Sequence, residues 1–318
     1  MLLFIGYIAA SPREAIRPSA DWGDRLAPYL ADPVVAEADG STIASVGKSV
    51  SEMLFGGFGR VEQPIQIYLF QYALYTMIAR ALLIKDERVT SIVGYSGGIQ
   101  PGLLAAGVFR ADDFPHDIAE MNRGTYEAAI RNRQEGIAAC AVDFQDAALE
   151  ESDVFALIES KFGGRIYLQD RRAYKVMDFV GPRPLMEDFL ATLDRRASMA
   201  VRASRLRPDG GYHTSLSGCY DGLPDEKGAW PRIRDRLAQC RYRFASTVGH
   251  WWPAADGTAT LRDITMRTHT EPIQSGRLAN LVSNEQPVFL CSKLVLQETF
   301  AGTGYRPSLA HLVHPSMI

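Results

Sequence analysis

The chain has 318 residues, of which 47% are hydrophobic and 22% charged. That is enough apolar material for one large domain, or for a domain that carries a smaller insert. The formal net charge of −3 leaves no basic footprint for nucleic acid and no polybasic membrane anchor. The first residues, MLLFIGYIAAS, are apolar but have no Lys or Arg ahead of the run. They read as a buried first strand rather than a secretory signal. No apolar run reaches the roughly 18 residues of a membrane span, so a soluble, cytoplasmic protein is expected. The four cysteines, Cys140, Cys219, Cys240 and Cys291, show neither C-x-x-C spacing nor a histidine at ligand distance. They read as reduced core thiols, with no metal site.

LLFIG (2–6) is a short continuous apolar run ended by glycine, the pattern of a buried parallel strand. PIQIYLFQYALYTMIARALL (64–83) begins with proline and is apolar around most of its circumference, which predicts a long buried helix. VTSIVGYS (89–96) is rich in β-branched residues and predicts a second buried strand. GGIQPGLLAAG follows at once and reads as a short helix despite Pro101, and another helix is expected over about 113–132. From 137 to 207 the order is strand, helix, strand pair, helix, strand. That is a split β-α-β arrangement of the ferredoxin-like kind. It predicts an inserted subdomain over 137–207 within an α/β core made of 1–136 and 208–318. Further helices are expected near 229–240 and 290–302.

Between the second strand and its helix lies Gly94-Tyr95-Ser96-Gly97-Gly98, a G-x-S-x-G pattern. The five residues alone are weak evidence, because Gly and Ser are common. A strand, a sharp turn bearing serine and then a helix give the pattern the context of a nucleophile elbow in a hydrolase-like α/β domain. There is no P-loop and no dinucleotide fingerprint after a strand.

In order and spacing the chain resembles the malonyl-CoA:acyl-carrier-protein transacylase family, which includes the acyltransferase domains of fatty acid and polyketide synthases. Gln63-Pro64 opens the long helix, the G-x-S-x-G segment holds the nucleophile's place, and Ala106-Gly107-Val108 follows it. EMNRGTYEAA resembles the family's Arg-Gly helix, and IYLQDRRAYKVMDFVG the strand pair of its insert. GGYHTSL resembles the catalytic-histidine segment, NEQPVFL a later segment that orients that histidine, and HLVHPS the terminal turn.

The resemblance implies a discrete acyltransferase that moves an acyl group from CoA to an acyl carrier protein through an acyl-serine. Ser96 would be the nucleophile and His213 the base. The other histidines, His250 and His269 among them, have no matching context. The oxyanion donors would be the backbone N–H groups of Gly97 and of Tyr7, although the family has glutamine at the second position. Asn284, with Ser283 as rival, would orient His213. Gln63 and either Arg123 or Met121 would face the substrate. Ungapped counting from Ser96 selects Met121 and a neutral acyl group, whereas a small insertion selects Arg123 and a clamped malonyl carboxylate. Two residues along a helix differ by roughly 200°, so only one of them faces the pocket. Tyr95 and Ile99 replace the family's His and Glu and make the site less polar. No bound cofactor is implied. Acyl-CoA and a phosphopantetheine-bearing carrier protein are the expected partners, and an unperturbed histidine near 6.5 would set the pH dependence. Two other readings stay open: an acyl hydrolase acting on a carrier protein, and an inactive relative that only docks one.

Overall fold

A computed structural model describes residues 1–6, 75–108, 125, 127–196, 200–217, 230–249, 251–252 and 267–313. Strand β1 (Leu2–Ile5) is buried along its whole length. Residues 75–85 are helical and belong to the helix expected over 64–83. Strand β2 (Ser91–Gly94) is equally buried. A 3-10 turn (Ser96–Gly98) runs straight into helix α1 (Ile99–Ala105), which keeps Pro101 in its first turn. N–H groups there have no intrahelical partner, so the proline loses nothing. Residues 127–134 are helical.

The next elements are β3 (Ile137–Asp143), α2 (Glu151–Phe162), β4 (Tyr167–Ala173), β5 (Val176–Pro182) and α3 (Arg183–Arg196). Two short strands follow, β6 (Arg202–Ala203) and β7 (Arg207–Pro208). One longer strand was expected there. Its residues are exposed, and Pro208 has no N–H to extend the ladder. The last elements are α4 (Trp230–Gln239), β8 (Arg243–Ala245), β9 (Trp251–Trp252), α5 (Ser275–Ser283), β10 (Pro287–Leu290), α6 (Lys293–Phe300) and β11 (Leu312–Val313).

These strands form two sheets. The first has the order β11-β10-β1-β2-β8-β9. Its members pair in parallel except for β9, which lies antiparallel on β8. Short strands buried on both faces suit such a sheet. Phe4 packs against Phe289 and Phe300 at centroid distances of 5.6 and 5.5 Å. The second sheet is antiparallel, in the order β4-β5-β3-β6, with β7 also paired to β3. Helices α2 and α3 bring Phe162 and Phe189 onto a core with Phe144, Met177 and Phe179. The α/β class with a parallel sheet is as the sequence predicts. None of the described helices is long and apolar enough to cross a membrane.

The two sheets meet at the edge strand β4. Asp170 forms a parallel bridge with Ile273. The Arg171 N–H donates to the Ile273 carbonyl at 2.8 Å, and the Ile273 N–H donates to the Gln169 carbonyl at 2.9 Å. This join covers the edge of the antiparallel sheet, which would otherwise expose unpaired backbone groups.

At the C-terminal end of β1 the packing is backbone on backbone. A Cβ on Gly98 would lie 2.3 Å from the Ile5 carbonyl oxygen and 2.5 Å from that of Gly6. Neither oxygen can swing away as a flexible side chain would. Gly98→Ala should therefore destabilise the protein by about 1–3 kcal/mol, the usual cost of overpacking. The measurement is the urea midpoint at unchanged m value. A wild-type midpoint would show that the two backbones have room to separate.

Candidate active site

Ser96 lies two residues past the last residue of β2 and has φ 54°. A non-glycine residue in the left-handed region is uncommon. The flanking glycines explain how the turn is reached. A Cβ on Gly94 would lie 2.1 Å from the Ile99 Cα, so the strand's end and the start of α1 are in direct contact. Gly98 is pressed against β1 in the same way. Two hydrogen bonds pin the turn: the Tyr95 N–H donates to the Ile5 carbonyl at 2.8 Å, and the Gly98 N–H to the Tyr95 carbonyl at 3.0 Å. The glycines of G-x-S-x-G are thus steric requirements, and Ser96 is left partly exposed between them.

His213 comes from the loop after β7 and is also left-handed, with φ 59°. Its Nε2 lies 3.0 Å from Ser96 Oγ, and its Nδ1 lies 2.8 Å from the Thr268 carbonyl oxygen. A carbonyl can only accept, so Nδ1 carries the proton. Nε2 then presents its lone pair, and the Ser96 hydroxyl donates to it. The loop is held from several sides. Asn132 Nδ2 donates to the Gly210 carbonyl at 2.8 Å and to the Leu216 carbonyl at 2.7 Å. Thr214 Oγ1 donates to the Gly211 carbonyl at 2.7 Å.

His213 is 6% exposed. Burial pushes its pKa down to about 4, against the pull of the Thr268 carbonyl. The value near 6.5 expected from sequence assumes a solvated ring, and this ring is enclosed. His269 is buried beside it and is likewise pushed down to about 4, by burial first and by His213 second. The imidazole that faces Ser96 is therefore neutral at pH 7, as a proton acceptor must be.

The acceptor for His213 Nδ1 corrects one expectation. Asn284 is the exposed C-cap of α5 and Ser283 is exposed beside it, while the Thr268 carbonyl occupies the orienting position. A backbone carbonyl is available at any residue type, so the sequence carries no side-chain signal for it. Gly97 is buried in the turn that starts the helix. Tyr7, Gln63, Met121 and Arg123 lie outside the described residues. Among the described residues, no group of three or more His, Cys, Asp or Glu could hold a metal ion. A cleft of about 530 Å³ lined by Arg80, Arg236, Cys240, Arg241 and Tyr242 lies elsewhere, beside the segment that enters β8. It does not include Ser96 or His213.

No protein-family model matches the chain, and no curated protein matches it in sequence. Solved structures do. MCAT from Streptococcus pneumoniae aligns with a TM-score of 0.59 and 15% identity, over 98% of this chain and 94% of that one. The acyltransferase domain from the second module of the salinomycin polyketide synthase aligns with a TM-score of 0.54 and 17% identity, over 98% of this chain and 68% of that one. A malonyl-transacylase solved in complex with its type II polyketide synthase acyl-carrier protein aligns with a TM-score of 0.52 and 14% identity, over 98% and 94%. The chain has the fold of malonyl-CoA:acyl carrier protein transacylases and of polyketide synthase acyltransferase domains.

Proposed function

We propose that the protein is an acyltransferase that carries an acyl group from CoA to an acyl carrier protein on Ser96. The observation that carries this reading is the hydrogen-bonded pair itself: Ser96 Oγ faces the unprotonated nitrogen of a buried, tautomer-fixed His213. In the first half-reaction Ser96 Oγ attacks the thioester carbonyl carbon and its proton passes to His213 Nε2. The C–S bond breaks, and CoA leaves as the thiol with that proton. In the second half-reaction the phosphopantetheine thiol gives its proton to His213 and attacks the acyl-serine. The ester C–O bond breaks and Ser96 recovers the proton. The Gly97 N–H, in the 3-10 turn that leads into the helix, would stabilise the oxyanion together with the N–H of Tyr7.

The fold likeness to an acyltransferase in complex with a carrier protein supports the choice of acceptor. We assign a nucleophile elbow to 94–98 and a ferredoxin-like inserted subdomain to 137–207. The strand-helix-strand-strand-helix-strand order and antiparallel pairing of β3 to β6 support the second assignment. The positive φ at Ser96 supports the first.

Incubation with acyl-CoA thioesters should add one acyl mass to the intact protein, on the peptide that holds Ser96, and Ser96→Ala should abolish it. Label on another peptide would refute the assignment. Given acyl-enzyme, addition of carrier protein should give acyl-carrier product faster than free acid forms. The reverse order of rates identifies a hydrolase, and no acylation with any thioester identifies a docking relative.

His213→Ala should slow acylation by several orders of magnitude, as loss of a triad base does elsewhere. A buried imidazole near 4 gains its proton only as the pH falls through that value. The acylation rate should be flat from about pH 6 to 8 and drop below about pH 5. A limb centred near 6.5 would mean that the ring is solvated in the working enzyme.

The acyl group turns on Arg123 and Met121. If Arg123 clamps a carboxylate, malonyl-CoA should outpace acetyl-CoA, and Arg123→Ala should cost on the order of 2–4 kcal/mol for malonyl alone. If Met121 faces the pocket, the wild-type malonyl-to-acetyl ratio should be near one or below it.

A further inference from the structure

Ser96 and His213 share an unusual backbone state. Both are non-glycine residues at positive φ, 54° and 59°. Such conformations persist only where the surroundings over-determine them. The residues that precede them, Tyr95 and Tyr212, lead back to one place. Gln169 Nε2 donates to the Tyr212 carbonyl at 3.1 Å and to Asp209 Oδ1 at 3.0 Å. Asp209 Oδ1 also accepts from the Gly211 N–H at 2.7 Å. One amide of β4 thus grips the loop on both sides of the turn that presents His213.

The next residue of β4, Asp170, makes a separate set of contacts. Asp170 Oδ2 accepts from Ser275 Oγ at 2.7 Å, and Oδ1 accepts from the Ser275 N–H at 3.2 Å. The Ser275 hydroxyl proton is committed to that carboxylate. The same Ser275 side chain is also hydrogen-bonded to the buried Tyr95 side chain. Asp170 is itself anchored. Arg172 lies 3.9 Å from it and forks onto Asp178 at 2.9 and 2.7 Å. The Arg172 Nη1 also donates to the Glu298 and Ala301 carbonyls at the end of α6, at 3.0 and 3.2 Å. The backbone bridge to Ile273 brackets Asp170 through the Gln169 carbonyl and the Arg171 N–H.

We infer that the Gln169-Asp170 dipeptide of β4 is the positioning element of the reacting pair, Gln169 acting on His213 through the Tyr212 carbonyl and Asp170 acting on Ser96 through Ser275 and Tyr95. It touches neither substrate nor the reacting atoms. It fixes two strained backbones relative to each other from a single rigid strand, so that the Ser96–His213 hydrogen bond exists before substrate arrives. The inference rests on Ser96 being the nucleophile.

The test uses the full chain and a fluorophosphonate probe. Ser96 Oγ forms the P–O bond, the P–F bond breaks, fluoride leaves, and the serine proton goes to His213. Two variants address the two arms. Tyr95→Phe removes one hydroxyl and keeps the ring that packs on Phe4. Gln169→Leu removes the donor and keeps most of the volume. Each should lower the maximal inactivation rate on the order of a hundredfold, the effect of a reacting group displaced by about 1 Å. The concentration for half-maximal inactivation and the far-UV circular dichroism should stay at wild-type values. A purely structural role would not separate rate from affinity in this way. Wild-type maximal rates in both variants, or a loss confined to affinity, would overturn the inference. If Gln169→Leu does not fold, Tyr95→Phe decides alone. Failure of the wild type to label at Ser96 would instead remove the functional reading beneath it, and the two failures are told apart by that control.

Discussion

The backbone at the end of β2 runs so close to its neighbours that no side chain fits, and the site depends on that approach. Gly94 meets Ile99, and Gly98 meets the carbonyls that end β1. With both flanks held, the residue between them must turn sharply, and Ser96 does so in the left-handed region. The cost is on the order of 1–3 kcal/mol for such a residue. The parallel sheet supplies the offset through apolar strands buried on both faces. The hydroxyl is thereby lifted off the sheet end toward the loop of His213, within hydrogen-bond reach of its Nε2.

The electrostatics follow from enclosure. A solvated histidine would be partly charged near neutrality, and the charged fraction cannot accept a proton. Here burial removes the charged form, and the Thr268 carbonyl fixes which nitrogen keeps the proton. Both effects leave Nε2 as an acceptor without help from a carboxylate. An ionic group of contacts through Asp170, Arg172 and Asp178 lies behind Tyr95.

The parts of this arrangement were unequally legible in the sequence. The two buried strands, the serine turn and the strand-helix order of 137–207 declare themselves through apolar runs, glycines and periodicity. His213 was singled out through a local resemblance in GGYHTSL, and its Nε2 lies 3.0 Å from Ser96 Oγ. The orienting group was misplaced at Asn284, because a carbonyl from the backbone of Thr268 leaves no mark on residue type. The depressed pKa was missed for a related reason: enclosure depends on which distant segments cover the ring. In the sequence Gln169 and Asp170 are two polar residues of a strand pair. Their importance comes from the bridge to Ile273, which joins positions more than a hundred apart in the chain.

That bridge gives the antiparallel sheet a role that its own core does not require. Phe144, Phe162, Phe179 and Phe189 hold its strands and helices together without Asp170. Burying a carboxylate is unfavourable, and burial pushes Asp170 up to about 7 even with Arg172 and Ser275 opposing the shift. Well-packed apolar residues often replace buried ionic groups with no loss of stability. Stability alone therefore does not account for a charged network at this junction. Directional hydrogen bonds do what apolar contacts cannot. They fix the orientation of Ser275, hence of Tyr95, and a fully satisfied network rigidifies what it joins. The second sheet then works as a brace whose edge strand sets the distance between two loops of the first.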